Sequence, residues 1–370
     1  MPASALGEEL IARGHKVALI TDARGAKIPG LCPQMDMHII PAGRITKNPL
    51  SWPPGVRAIW AGRNAARRLY QECAPSAVVG FGGYPAYPAL LAAFGLRIPT
   101  AVHEQNAVLG RVNRQVANKV AAIATAYPQI KRLPASAQAK VHLIGNPVRP
   151  EIVALREQPY PALDAEGIFR VLVTGGSQGA NVLSEVVPDG LSMLPLHFRR
   201  RMQVTQQCRA EDIERVRATY ARLGIPADLA TYISDMPERL GWAHLVIARA
   251  GASTIAELTC AGRPAILVPL PSAMDDHQTY NVGEMVAAGG ARAIMQSDFT
   301  PIELAKQMQK LGLEPEALAN AAARARSVGR PHATQALADL VESLGRAPVI
   351  DGLGARSPSQ PTTKLAGAGI

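Results

Sequence analysis

Val173-Thr174-Gly175-Gly176-Ser177-Gln178-Gly179-Ala180 decides how this chain is read. The β-branched, apolar run Phe169–Val173 leads into it and a helical pattern leaves it. Strand, glycine turn, helix is the opening of a mononucleotide-binding βα unit. Glycines tolerate positive φ and let backbone N–H groups approach a phosphate closely. The helix start adds roughly half a positive charge. A ligandless strand–helix turn is the competing reading of the same residues.

Downstream of this turn the strand pattern recurs at Met202–Thr205, Thr231–Ser234, Leu245–Ala248, Ala265–Val268 and Arg292–Met295, with helical segments between. Upstream it recurs at Val17–Thr21, Met37–Ile40, Ala77–Phe81, Thr100–His103 and Val141–Ile144, after a helix over Ala3–Ala12 that ends at Arg13-Gly14. Alternation of this kind indicates βαβ units and a parallel sheet. Between the two series lies the proline- and charge-rich stretch Arg149–Pro161, which reads as a linker. The expected organisation is an α/β chain of two Rossmann-like domains. These are a first domain over 1–148, a linker over 149–161 and a second domain over 162–330. A closing helix over 331–345 packs back on the first domain, and a Gly/Ser/Pro/Thr-rich tail covers 346–370.

The chain has 370 residues, 48% of them apolar, which suits two globular domains and excludes a disordered chain. Its net charge of +10 is uneven: residues 1–150 hold 18 Lys+Arg against 6 Asp+Glu, and the rest hold 21 against 23. The first domain therefore faces an anionic partner. Cys32, Cys73, Cys208 and Cys260 are too far apart for a metal or redox motif. The longest apolar stretch, near Pro88–Leu96, is too short to span a bilayer.

Three further segments carry chemistry. His103-Glu104-Gln105-Asn106 ends a strand, where doubly wound sheets bind ligands. His103 or Glu104 is a candidate to take a proton from an attacking hydroxyl, and a helix-capping cluster is the alternative. Gly251 and the run Ala252-Ser253-Thr254-Ile255-Ala256-Glu257 follow another strand, with Glu257 equipped to bind two ribose hydroxyls. Gln278, in Asp275-Asp276-His277-Gln278, can bond a sugar hydroxyl. The segment 41–68 holds Arg44, Lys47, Arg57, Arg63, Arg67 and Arg68 with Trp52 and Trp60 and no acid. Cations with interfacial indoles suit an anionic membrane surface. Nucleic-acid binding is the competing functional reading.

Gly82-Gly83-Tyr84, His103-Glu104-Gln105-Asn106, Gly145-Asn146-Pro147-Val148-Arg149, Gly175-Gly176-Ser177-Gln178-Gly179-Ala180, Ser234-Asp235-Met236 and Gly251-Ala252-Ser253-Thr254 with Glu257 stand in one order along the chain. That ordered set resembles the MurG family, the UDP-N-acetylglucosamine:lipid I N-acetylglucosaminyltransferases, from Pro2 to about Leu344. The resemblance implies a GT-B fold, with two Rossmann-like domains facing across a cleft. It also implies inverting transfer of N-acetylglucosamine from UDP-N-acetylglucosamine to lipid I, with no metal and no cofactor.

By motif position, Asn106, Arg149, Ser177, Ile233, Ala252, Ser253, Thr254, Ile255, Ala256, Glu257 and Gln278 would contact the donor. Gly82, Gly83 and Tyr84 would meet the acceptor. The implied location is the cytoplasmic face of the inner membrane, held peripherally, with no nucleic-acid partner. The family pattern opens with a strand and Gly-Gly-Thr-Gly-Gly-His before a Phe-Pro-Ala-like helix start, and Met1-Pro2-Ala3 matches that helix start. The expectation is a first domain lacking its opening strand, unstable and weak in activity. Two other classes fit parts of the pattern: another UDP-sugar enzyme of this fold, including an epimerase, and a non-catalytic UDP-sugar or membrane-binding scaffold. A nicotinamide-dependent oxidoreductase is disfavoured, because no Gly-x-Gly-x-x-Gly followed by an acid about 20 residues on appears after the second-domain strand.

Overall fold

The computed structural model describes residues 2–27, 34–43, 52–164, 166–176 and 179–346. Twelve strands are described, all in parallel pairs: β1 (Ala18–Thr21), β2 (Asp36–Ile39), β3 (Val78–Gly80), β4 (Thr100–Glu104), β5 (Ala122–Thr125), β6 (Val141–Leu143), β7 (Phe169–Thr174), β8 (Met202–Gln207), β9 (Ala227–Ala230), β10 (Leu245–Arg249), β11 (Ala265–Val268) and β12 (Ala291–Ala293).

The second domain is one six-stranded sheet in the order β12-β11-β10-β7-β8-β9. The chain starts in the middle at β7, winds outward to β9, returns to β10 and winds out the other way. This is the doubly wound order, and it opens a crevice at the carboxyl ends of β7 and β10. Both faces are covered, so the central strands read as continuous apolar runs with nothing exposed: Val171, Leu172 and Val173 in β7, Leu245 to Ala248 in β10, Ala265 to Val268 in β11. Phe169, Val171, Leu183, Val204 and Ile247 fill one layer, and Leu172, Val246, Ala248, Leu258 and Leu267 the other.

The first domain carries two sheets, β1-β2 and β3-β4-β5-β6. Among the described residues β1 and β3 are not hydrogen-bonded to each other, yet Ile20 of β1 and Val78 of β3 pack on the same layer. That layer is Ala89, Ala92 and Ala93 of the helix Gly83–Gly95 with Ala66 and Tyr70 of the helix Trp52–Cys73. Among the described residues the parallel array is interrupted between β1 and β3. The last described helix, Ala333–Arg346, lies against the first, Pro2–Ala12. Leu337, Ala338 and Val341 meet Leu6 and Leu10 there, and Arg13 reaches Asp339 at 2.6 Å.

Three readings need correction. The stretch Thr231–Ser234 is not a strand. The edge strand β9 is Ala227–Ala230, and Ile233 follows it as a buried loop residue. The strand β5, Ala-Ile-Ala-Thr, has little β-propensity of its own and was not anticipated. Burial between β4 and β6 makes it a strand. The segment read as a plain linker contains the helix Pro150–Ala154 and a 3₁₀ turn Leu155–Glu157, whose Ile152 and Leu155 are buried in the second domain's core.

Candidate active site

Two turns meet at the crevice of the second domain. After β7, Gly176 and Gly179 take positive φ of 77° and 65° before the helix Asn181–Ser192. Gly175 packs so closely on Ala180 that a side chain there would collide with its backbone. Thr174 steadies the turn, since its hydroxyl donates to Gln207 at 3.0 Å and accepts from the Gly176 amide at 3.3 Å. Ser177 lies outside the described residues. After the adjacent β10, Gly251 caps the helix Ala252–Ala261. Two helix starts thus sit side by side at the carboxyl ends of neighbouring strands, which is an arrangement for an anion.

The residues of the second turn divide by exposure. Ser253 is exposed and Thr254 and Ala256 are partly so, while Ala252 and Ile255 turn into the core and can meet a ligand only through their backbone. Ile233 is likewise buried. Glu257 pairs with Arg149 at 3.3 Å. Burial pushes its carboxyl up from the usual range and Arg149 offsets part of that. The Nε of Arg149 is buried with no partner. The Oε1 of Gln278 accepts the Leu270 amide at 3.0 Å, which leaves its amide nitrogen for a ligand.

Across the cleft, β4 delivers His103, Glu104, Gln105 and Asn106 to its carboxyl end. Here the geometry surrounds both candidate proton acceptors with partners. His103 has no exposed surface; its Nε2 meets the Gly145 carbonyl at 2.8 Å and its Nδ1 accepts from Gln105 at 3.0 Å. Burial pushes its pKa down to about 4, so it stays neutral. Glu104 is also buried, and both its oxygens are occupied. Oε1 accepts the backbone and side-chain N–H groups of Asn106, at 3.0 and 3.2 Å. Oε2 accepts the Gly110 amide at 2.8 Å and the Asn113 side chain at 2.9 Å. Neither residue offers a free lone pair to the cleft. Together they shape the turn that carries Asn106.

Asn106 itself is sewn to the second domain. Its Oδ1 accepts from Asn281 at 3.2 Å, and Asn281 Oδ1 accepts the Ala107 amide at 2.8 Å. Asn281, fully buried, also donates to the Ala250 carbonyl. Its role at the domain junction was not anticipated, although it stands in the segment around Gln278. Asn146 adds a second stitch, donating to the Gln105 and Ala252 carbonyls at 3.0 and 3.4 Å.

Gly82 and Gly83 lie between β3 and its helix with positive φ of 75° and 71°. Tyr84 donates to Asp22 at 3.3 Å, and the guanidinium of Arg24 lies 4.7 Å from its ring centre, so this loop leans on the end of β1. Among the described residues no cluster of His, Cys, Asp and Glu can hold a metal ion, and no helix is long and apolar enough to cross a membrane.

On the helix Trp52–Cys73, Gly55, Gly62, Ala66 and Tyr70 are buried. Trp52, Val56 and Trp60 stand one turn apart on another face, exposed by 52%, 43% and 57%. Arg57 and Arg67 are exposed, and the guanidinium of Arg63 lies 5.2 Å from the Trp60 ring centre. Residues 44–51, with Arg44 and Lys47, lie outside the described residues.

Comparison with known proteins agrees with this geometry. Residues 1–125 match the glycosyltransferase family 28 N-terminal domain and residues 170–343 its C-terminal domain. The UDP-N-acetylglucosamine--N-acetylmuramyl-(pentapeptide) pyrophosphoryl-undecaprenol N-acetylglucosamine transferase of Zymomonas mobilis is 61% identical over 93% of this chain and 89% of its own length. Its Novosphingobium aromaticivorans counterpart is 62% identical over 95% and 90%. Among solved structures, Acinetobacter baumannii MurG superposes with a TM-score of 0.74 at 30% identity, covering 92% of this chain and 95% of its own. A UDP-GlcNAc 2-epimerase from Neisseria meningitidis reaches a TM-score of 0.61 at 15% identity over 93% and 98%, which is a likeness of fold alone.

Proposed function

This chain belongs to the family 28 glycosyltransferases, and from that premise we propose that it moves N-acetylglucosamine from UDP-N-acetylglucosamine to the 4-hydroxyl of undecaprenyl-diphospho-muramoyl-pentapeptide. The observation that carries the donor half is the pair of helix starts at the ends of β7 and β10. Backbone N–H groups aimed at one point stabilise the negative charge that grows on a departing diphosphate. Arg149 adds a cation, paired at 3.3 Å with Glu257. Glu257 takes the ribose hydroxyls, the backbone at Ile233 faces the uracil, and the free amide of Gln278 takes a sugar hydroxyl. The reaction is a single displacement: the acceptor oxygen bonds to C1 of the sugar as the bond to diphosphate breaks, the hydroxyl proton passes to solvent water, and the anomeric centre inverts. What this chain supplies is position and charge stabilisation.

The acceptor docks beside Gly82, Gly83 and Tyr84. The Trp52–Val56–Trp60 face supports a peripheral contact with an anionic membrane, where indoles lie at the headgroup level among cations. On this reading the protein works on the cytoplasmic side of the inner membrane. The identity of its relatives favours this substrate pair over an epimerase, whose likeness is confined to fold.

Titration calorimetry with uridine diphosphate tests the donor site. Binding is expected, and Glu257→Gln should weaken it by about tenfold, since a hydrogen bond to a charged group contributes about 1.5–3 kcal/mol. Undetectable affinity for uridine diphosphate in the folded protein would remove the basis of the proposal.

A further inference from the structure

One group of charges at the cleft rim has no part in the donor site. Arg114, on the short helix Arg111–Val116, and Arg132, in the loop that follows β5, converge on a single carboxylate of the second domain. Arg114 Nη2 reaches Asp275 Oδ2 at 2.8 Å, and Arg132 Nη1 reaches Asp275 Oδ1 at 2.6 Å. Each oxygen of one carboxylate is thus taken by a different guanidinium. Each guanidinium makes one charge-assisted bond and keeps further N–H donors in its fork, as a multi-oxygen anion such as phosphate would require. Arg111 shares the side of the helix that carries Arg114. Lys131 stands beside Arg132 with its ammonium 5.6 Å from the ring centre of Tyr280. Two of these cations, Arg114 and Arg132, pair with Asp275.

The carboxylate is delivered awkwardly. Asp275 and Asp276 are consecutive non-glycine residues with φ of 56°, and Arg132 has φ of 62°. L-residues disfavour this region. The side chain of Asn113, next to Arg114 on the helix, lies over Gly82 of the acceptor loop. The helix that carries Arg114 therefore approaches the acceptor loop through Asn113, while the present partner of Arg114 and Arg132 belongs to the other domain.

We propose that Arg114 and Arg132 form a diphosphate subsite for the lipid-linked acceptor, and that Asp275 occupies it as an internal stand-in when the cleft is closed. Resting on the lipid-diphosphate acceptor proposed above, this assigns to that substrate a recognition element outside the glycine loops. Arrival of the acceptor's diphosphate exchanges one carboxylate for a group of higher charge and releases a tie between the domains. Because the two ligands compete for the same forks, whatever weakens the Asp275 contact strengthens binding of the diphosphate.

Donor and acceptor both carry diphosphate, so the test separates them. With the full chain saturated with uridine diphosphate to fill the donor site, inorganic pyrophosphate is titrated by calorimetry. Binding to the native protein is expected, at least tenfold weaker in Arg114→Gln/Arg132→Gln and about tenfold tighter in Asp275→Asn, which keeps a side chain that tolerates positive φ. Uridine diphosphate affinity should stay within twofold in every variant. Should the double variant fail to fold, the half-exposed Arg132→Gln alone must still weaken pyrophosphate at least threefold. No pyrophosphate binding beside intact uridine diphosphate binding would overturn the subsite and leave the proposed activity standing. An equal loss of uridine diphosphate affinity would hand the forks to the donor and also overturn it. Loss of uridine diphosphate binding in the native protein would instead count against the activity itself.

Discussion

Replacing Glu104 by glutamine should cost the first domain about 3 kcal/mol although it changes one atom. The carboxylate accepts four N–H groups, two on each oxygen. Glutamine keeps one acceptor and places an NH₂ where the other stood. If the NH₂ faces Asn106, both a backbone and a side-chain donor lose their acceptor. If it faces Gly110 and Asn113, the Asn113 amide can turn. Its Oδ1 is buried with no partner, so turning presents an acceptor to the new NH₂. That leaves the Gly110 amide, bonded at 2.8 Å, without an acceptor, and the turned Asn113 NH₂ also gives up its 3.4 Å bond to the His103 carbonyl. The second arrangement is the cheaper one. Its cost is the loss of charge-assisted bonds, about 1.5–3 kcal/mol each, and one unsatisfied buried donor at about 1–3 kcal/mol, partly repaid by the turned amide. A loss of about 3 kcal/mol corresponds to roughly 6–12 °C in the melting temperature of a domain of this size. Urea or thermal unfolding followed on the first-domain transition measures it, with hydrogen exchange at the Gly110 amide as the local readout. A loss below about 1 kcal/mol, or unchanged protection at Gly110, would refute the view that Glu104 organises this turn.

Acid should destabilise the fold through two buried histidines. Burial pushes both His103 and His244 down to about 4, so between pH 6.5 and 4 the unfolded chain takes up protons that the native one refuses. The stability loss begins as pH falls below about 6.5 and approaches about 3 kcal/mol per histidine near pH 4. Unfolding midpoints across that range check it, and an NMR titration placing His103 near 6.5 would contradict it. On the membrane face, Trp60→Glu should reduce sedimentation with vesicles of anionic phospholipid by at least severalfold while leaving uridine diphosphate affinity unchanged, because the indole is exposed by 57% and remote from the β7 and β10 turns. Equal sedimentation of both proteins would remove this helix from the membrane contact.

Where the sequence carried a strong local signal, its reading and the structure coincide. The buried strands β10 and β11 are continuous apolar runs between turn residues, and their ends were visible to within a residue. The glycine turn after β7 was legible because Gly176 and Gly179 take the positive φ that glycine favours, and Gly175 leaves no room for a side chain. Misreadings arose where tertiary context overrides propensity. Tyr232 and Ile233 look like strand residues, yet Tyr232 is 71% exposed and Ile233 fills a core gap from a loop, while the alanine-rich Ala227–Ala230 pairs with β8. For His103 and Glu104 the coordinates add what residue type cannot: Nδ1 of His103 accepts from Gln105, and the Glu104 oxygens accept from groups up to nine positions away. The part played by Asn281 was invisible for the same reason, since its partners Asn106 and Ala107 lie some 175 positions upstream.

The interruption between β1 and β3 gives the first domain a built-in tear line. Every rung of the β3–β6 ladder survives if β1 and β2 come away, because among the described residues no ladder bond joins β1 to β3 and the two pieces meet through side chains. The strands β1 and β2 should therefore exchange their amide protons ahead of β3–β6, as a separate cooperative unit. Tyr84 and its loop lean on the end of β1, so each such excursion also unseats the floor on which the acceptor would rest.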